Sequence, residues 1–202
     1  MLKIAITGGI GSGKTYVSRL FRIYDIPVYH ADREAKRLMN QNRELKTQIK
    51  QLLGAEAYHK NGRLNRAFIA SKIFNDSKLL NRMNQLVHPV VRDDFEKWAH
   101  DQRSSYVLEE SAIIFEAGLA QYFDAVILVV AEMETRISRV MERDKISRQD
   151  VLNRMKNQKP DKFKMKLADF IILNDHKKSL LHQVEAVHKE ILKLRENKSH
   201  GS

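Results

Sequence analysis

The chain has no cysteine among its 202 residues, which excludes disulfides, thiolate zinc sites and cysteine nucleophiles and fits a reducing cytoplasm. No apolar run approaches the roughly 20 residues that a membrane helix needs. No signal-peptide pattern precedes the first strand-like stretch, so a soluble, cytoplasmic protein is expected. Acidic residues are the scarcer charge: 25 Asp and Glu stand against 36 Lys and Arg, a formal charge of +11. That excess favours an anionic partner, whether nucleic acid, a membrane surface or a phosphorylated small molecule. Zinc-finger, RNA-binding and basic-zipper patterns are missing and the basic residues are spread along the chain, which argues against nucleic acid. Internal repeats and low-complexity linkers are also missing. The length accommodates one sizeable core with a small inserted or appended subdomain.

Against these absences stands Gly8-Gly9-Ile10-Gly11-Ser12-Gly13-Lys14-Thr15, which fits G-x-x-x-x-G-K-[ST]. Its context fits as well: Leu2 to Ile6 read as a short buried strand, and Tyr16 to Tyr24 as a helix with Val17, Leu20, Phe21 and Tyr24 on one side. In such a turn the glycines let backbone N–H groups converge on a polyphosphate, and the helix N-terminus adds its partial positive charge. Lys14 would reach the β and γ phosphates, Thr15 would offer its hydroxyl to Mg2+, and Tyr16 would contribute its backbone N–H. The bland alternative is a flexible glycine turn with an exposed lysine.

Further along, Asp25 to Asp32 read as a turn and a second strand whose polar end carries His30 and Asp32. In an open parallel sheet, ligands bind beyond the carboxyl ends of the strands, which puts Asp32 on the same sheet edge as the loop. It would equally serve as N-cap of a helix beginning near Arg33. From Arg33 to about His100 helical periods dominate, with Leu45, Ile49, Leu52 and Leu53, then Phe68, Ile69, Ile73 and Phe74, then a series from Leu79 to Trp98. Gly54 and Asn61-Gly62 punctuate this insertion, and Pro89, after His88, is expected to kink its long helix. His88 would touch substrate or simply pack, and Arg66 has a bland reading as a solvated charge. Ser105 to Leu108 form a third strand leading into Glu109 and Glu110, where phosphate-loop enzymes hold magnesium through an outer shell. Ala125 to Ala131 form a fourth strand, fully buried. Arg136, Arg139 and Arg143 fall on one helix face at spacings of three and four, either as a solvated face or as the charge of a lid that closes over a γ phosphate. Ala168 to Asn174 give a fifth strand, and Leu180, Val184, Val187, Ile191 and Leu194 a helix stripe that packs on the sheet.

Taken together these residues resemble the dephospho-coenzyme A kinase family. The likeness runs from Leu2 to about Asn174 through Ile6 to Thr15, Ala31-Asp32, Leu64-Asn65-Arg66, His88-Pro89, Ile113-Ile114-Phe115-Glu116, the arginines at 139 and 143, Gln158, and Ala168-Asp169 with Asn174. The resemblance implies an α/β three-layer phosphate-loop NTPase core with a five-stranded parallel sheet, like that of nucleoside monophosphate kinases, plus a helical substrate domain and a lid. The expected division is a core of 1–32, 101–134 and 160–196, a helical coenzyme A domain of 33–100, a lid of 135–159 and a disordered tail of 197–202. It also implies transfer of the γ-phosphoryl of ATP to the ribose 3′-hydroxyl of dephospho-coenzyme A. Asp32, Lys14, Arg139 and Arg143 would be catalytic. Gly9, Gly11, Ser12, Gly13, Lys14, Thr15, Tyr16 and Asn174 would bind ATP; Asp32, Arg66, His88 and Glu116 would face the acceptor; Thr15 and Glu110 would serve Mg2+.

The chain departs from the family pattern at four places. His30 stands where the family usually has an acid, Asn65 replaces an aspartate, Ser111-Ala112 replaces a residue followed by proline, and Arg136 replaces a glutamine. Expected partners are small molecules, with no nucleic acid and no membrane, and a monomer is anticipated. The alternatives are another phosphate-loop kinase with a smaller acceptor, for which the helical insertion is large, and a switch GTPase, for which Asp-x-x-Gly is missing. A basic nucleic-acid-binding protein would bind with steep salt dependence and without need of Lys14.

Overall fold

The computed structural model describes residues 1–73, 76–175 and 177–200, the last two by backbone alone. Phe74, assigned above to an apolar helix face, and Gly201 and Ser202 of the expected tail lie outside the described residues. The chain divides into two compact units, Met1–His30 with Gln102–Ser202, and Ala31–Asp101.

The first unit is built on a parallel sheet. Among the described residues it has five strands, β1 (Leu2–Thr7), β2 (Val28–His30), β3 (Tyr106–Glu110), β4 (Ala125–Val130) and β5 (Phe170–Leu173), in the order β2-β3-β1-β4-β5. Every pairing is parallel, with β1 between β3 and β4. A parallel strand covered on both faces must be apolar on both, which is why β4 reads Ala-Val-Ile-Leu-Val-Val without alternation and is buried nearly throughout. Strand β3 is buried along its length as well, and it takes in Glu109 and Glu110 rather than stopping before them.

The two faces of the sheet have separate cores. Leu2, Ile4 and Ile6 of β1 point to a layer made by α1 (Lys14–Phe21) and α9 (Leu180–His200), where Val17, Phe21, Val184, Val187 and Ile191 are buried. Ala5 points to the opposite side, with Val126, Leu128, Ile114 and Phe115. Each buried Val, Leu, Ile or Phe side chain among them contributes about 1.5–3 kcal/mol by leaving water. A third cluster of Ile137, Val140 and Val151 joins α6 (Met133–Asp144) to α7 (Arg148–Lys156), and the short α8 (Asp161–Lys164) follows. Helix α9 continues through His200, taking in residues 197–200 of the expected tail; Lys198 pairs with Asp124 and holds the last turns to the unit.

The second unit is helical: α2 (Ala31–Gln41), α3 (Arg43–Leu53), α4 (Arg66–Ile73) and α5 (Ser77–His100). Asn42 and Asp76 start α3 and α5 by accepting the N–H groups of Leu45 and Leu79, each at 2.9 Å. In α5, Met83, Val87, Val91, Phe95 and Ala99 recur every fourth residue and form its buried stripe. Pro89 lies inside this helix, which is continuous through it. Arg37 of α2 forks onto both oxygens of Asp94 in α5 at 2.8 Å. Gly62, at φ +77°, makes the expected turn at Asn61-Gly62, where Asn61 Oδ1 accepts the N–H of Arg63.

Candidate active site

The loop from Gly8 to Gly13 leaves β1 at the carboxyl edge of the sheet and enters α1 at Lys14. Gly13 is at φ +91°, a region that disfavours side chains, and a Cβ placed there would lie 2.2 Å from Asn174 Nδ2. That amide donates to Ser12 O at 2.8 Å, and its oxygen accepts from Arg139 Nη2 at 3.3 Å. Asn174 follows β5, so the end of the fifth strand props the loop from below. Asn174, expected above to bind ATP, thus contacts the loop backbone and Arg139.

The tip of the loop is held from the other side. Arg136 Nε donates to Ile10 O at 2.9 Å, and Gln158 Oε1 accepts from Ile10 N–H at 2.8 Å. Arg136 is buried, and its Nη1 reaches Asp161 Oδ2 at 2.6 Å. Its guanidinium lies so close to Gly9 that a Cβ there would sit 2.0 Å from Nη2. Behind it, the fully buried Lys164 ammonium lies 3.6 Å from Asp161 and 3.2 Å from Glu116. Glu116 also accepts the N–H of Lys159 at 3.1 Å. Glu116, expected above to face the acceptor, makes these contacts to the segment that follows α7.

The three arginines of α6 share a face but not a depth. Arg136 is buried in this network, so a solvated face does not describe it. Arg139 is half-buried and also donates to Gly11 O at 3.4 Å. The side chain of Arg143 is 62% exposed and forks onto Asp144 at 2.7 and 3.1 Å, which raises the guanidinium pKa and holds the Asp144 carboxyl below its usual range. Asp144 also receives Arg154 at 2.7 Å. Gly11, Gly13, Lys14, Thr15, Arg139, Val140 and Arg143 line one pocket of about 170 Å³. Four candidate cationic or hydroxyl groups, Lys14, Thr15, Arg139 and Arg143, thus meet at one place, while Tyr16 is exposed in the first turn of α1.

Beside the pocket, Thr15 Oγ1 donates to Glu110 Oε1 at 2.9 Å, and His30 Nδ1 lies 2.6 Å from Glu110 Oε2. A hydroxyl and a carboxylate are the hard oxygen donors that Mg2+ takes. Ser12 Oγ in the loop and Thr7 Oγ1 at the end of β1 are buried without a hydrogen-bond partner among the described residues, so unsatisfied polar atoms remain at the site, and the residues present fit the ion and its phosphates.

The remaining candidates belong to the helical unit. Helix α2 begins at Ala31, so Asp32 is an exposed residue of its first turn rather than its N-cap, a position where a carboxylate is still favoured by the helix dipole. Arg66 is exposed at the start of α4. His88 is half-buried in α5, and burial lowers its imidazole pKa. Sequence reasoning missed Asp161 and Lys164 altogether; their spacing of three marks an ordinary helix pair and says nothing of burial.

A parallel sheet in this order, a glycine loop closing onto a lysine at a helix start, and arginines lining the same pocket define a phosphate-loop kinase. The sequence signature of dephospho-CoA kinase matches residues 2–179. Dephospho-CoA kinases of Bacteroides fragilis and Salinibacter ruber are 35% and 38% identical over 184 and 178 residues, covering 91% and 87% of this chain and 89% of each relative. A Thermus thermophilus protein of solved structure superimposes with a TM-score of 0.81 at 33% identity, over 95% of this chain and 96% of its own. The chain belongs to the dephospho-CoA kinase family. It is an enzyme that phosphorylates dephospho-CoA from ATP, the last step of coenzyme A synthesis. No helix among the described residues is long and apolar enough to cross a membrane.

Proposed function

We propose that the phosphoryl group passes to the ribose 3′-hydroxyl of dephospho-CoA and that the residues divide the work as follows. The observation that supports this most is the single pocket joining the loop to Lys14, Thr15, Arg139 and Arg143. Phosphoryl transfer needs little covalent help; positioning and charge stabilisation carry it. The loop N–H groups and Lys14 hold the β and γ phosphates, and the α1 N-terminus adds its dipole. Arg139, already ordered by Gly11 O and Asn174, faces the charge that spreads over the transferred group. Arg143 exchanges part of its pairing with Asp144 for phosphate oxygen. Asp32, the second acid of the family's Asp-Ala-Asp pattern, accepts the proton of the attacking hydroxyl. Arg66 and His88 contact the acceptor. Thr15 and Glu110 hold Mg2+, which when bound neutralises charge on the phosphate oxygens.

The test is ADP release from MgATP with dephospho-CoA, adenosine, AMP, CMP and shikimate offered separately, with product mass recorded. Turnover with dephospho-CoA alone and addition of one phosphate at the 3′ position is expected. Turnover with a different acceptor overturns the acceptor assignment. Lys14→Ala should abolish turnover with the fold intact. Asp32→Asn should keep ATP affinity and lower kcat about a hundredfold or more; near-normal kcat would remove Asp32 from the mechanism.

A further inference from the structure

His30 ends β2 and pairs in register with Glu110 of β3. Paired residues of neighbouring parallel strands project to the same side of a sheet, so the two side chains meet where the strands end. Their exposures are only 15% and 11%, and His30 Nδ1 lies 2.6 Å from Glu110 Oε2. The other oxygen of the same carboxylate accepts from Thr15 Oγ1 at 2.9 Å. Three elements, α1, β3 and β2, thus contribute one residue each to a short chain running from Thr15 through Glu110 to His30.

Proton inventory gives this chain a direction. A threonine hydroxyl has one proton and two lone pairs. With its proton on Glu110, its lone pairs are turned to other neighbours, the state in which it can ligate a cation. A carboxylate that accepts at both oxygens needs a donor at each, so the Nδ1 of His30 carries a proton and donates it to Oε2. The imidazole fixes the carboxylate, and the carboxylate fixes the hydroxyl. A carboxylate at position 30, the residue type usual in the family, would put two like charges at hydrogen-bond distance in a site mostly closed to water.

We propose that His30 is a positioning residue for the Mg2+ that accompanies the nucleotide: through Glu110 it presets the Thr15 hydroxyl as a metal ligand. This rests on the assignment of Thr15 and Glu110 to Mg2+ made above. His30 touches neither phosphate nor acceptor in this role. It acts as outer-shell partners of metal ligands do, by restricting the orientation of the group that ligates.

The experiment is calorimetric titration of ADP into the wild-type chain and into His30→Asp, His30→Ala, His30→Asn and Thr15→Ala, each with and without Mg2+ at one fixed pH. Paramagnetic resonance of Mn2+ in the ADP complex gives a second readout of the metal shell. In His30→Asp the apparent Mg2+ affinity should fall about 10–100-fold, the usual range for losing an outer-shell partner. His30→Ala, which removes the donor without adding charge, should fall in the same direction and carries the test if the aspartate variant does not fold. His30→Asn places an amide N–H near the Nδ1 position and should recover most of the loss. ADP affinity without Mg2+ should be unchanged in all three. Wild-type Mg2+ affinity in both His30→Asp and His30→Ala overturns the proposal. So does an equal loss with and without Mg2+, which would mean a general structural role. Thr15→Ala separates the two levels: if it loses Mg2+ dependence while the His30 variants keep it, only the positioning role fails, and if it keeps Mg2+ dependence, the metal assignment of Thr15 fails with it.

Discussion

Replacing Arg136 with methionine should destabilise the chain and loosen the phosphate loop together. Methionine fills much of the volume of the arginine stem but removes the fork that joins Ile10 O at 2.9 Å to Asp161 at 2.6 Å. Breaking one partner of a buried pair costs about 3–5 kcal/mol, and losing a charged hydrogen bond to a carbonyl about 1.5–3 kcal/mol. Both figures need reduction here. The Asp161 side chain is 19% exposed and keeps the Lys164 ammonium at 3.6 Å, and the two losses share one side chain and do not add. A net loss of about 3 kcal/mol is expected, and at roughly 2–4 °C per kcal/mol for a chain of this size, Tm should fall by about 6–12 °C. Thermal unfolding followed by circular dichroism at neutral pH measures it, with KM for ATP measured in parallel. Asp161→Asn should cost less alone, and the double variant less than the sum of the two. A Tm within about 2 °C of wild type would place Arg136 with ordinary surface pairs, worth about 0–1 kcal/mol, and refute its role as the mooring of the loop.

Three further outcomes follow from the same geometry. Gly13→Ala should lower ADP affinity about tenfold or more, ~1.4 kcal/mol, because a left-handed φ strains the new residue and its Cβ displaces the Asn174 amide; calorimetry showing unchanged affinity would contradict this. Asn174→Leu removes the donor to Ser12 O and the acceptor for Arg139, so urea unfolding should show a loss of about 1–3 kcal/mol, and a smaller change would mean that the loop keeps its shape without that prop. His188 is half-buried, stacked on Tyr24 at 4.5 Å and 2.8 Å from the Tyr106 hydroxyl, and burial followed by the nearby Lys189 charge lowers its pKa from 6.5. As pH falls through the unfolded value the unfolded chain takes up this proton first, so stability present above about 6.5 is lost progressively below it. Chemical unfolding of wild type against His188→Gln across that range should show a shallower slope in the variant, and identical slopes would refute the assignment.

Much of the sheet was legible because its strands obey a local rule. A strand covered on both faces must be apolar throughout, and Ala125 to Val130 satisfy that rule without reference to any other part of the chain. The loop was legible for a related reason: glycine at a left-handed φ and a lysine at the first helical position are requirements of one short stretch. What stayed hidden depends on partners far away in sequence. Glu116 and Lys164 are 48 residues apart, Ser12 and Asn174 162 apart, and nothing in either neighbourhood announces the other. A strand boundary can also move a residue between roles, as when β3 extends through Glu110 and brings it opposite His30.

The arginines of α6 show the limit most clearly. Spacing of three and four places Arg136, Arg139 and Arg143 along one side of a helix, and helical geometry goes no further than that. Depth depends on what covers each turn. Ile10, Gln158 and Asp161 close over the first turn and make Arg136 a buried strut; the end of β5 reaches the second, where Arg139 donates to Asn174 and to Gly11 O; the third lines the pocket with its side chain largely exposed and paired with Asp144, which also accepts from Arg154. A charge held by a fixed buried partner is unavailable to an incoming phosphate, whereas an exposed one can exchange its partner at small cost. The face that reads in sequence as a solvated surface or the charge of a lid therefore separates into one residue tied to the loop backbone and Asp161 and two that line the pocket.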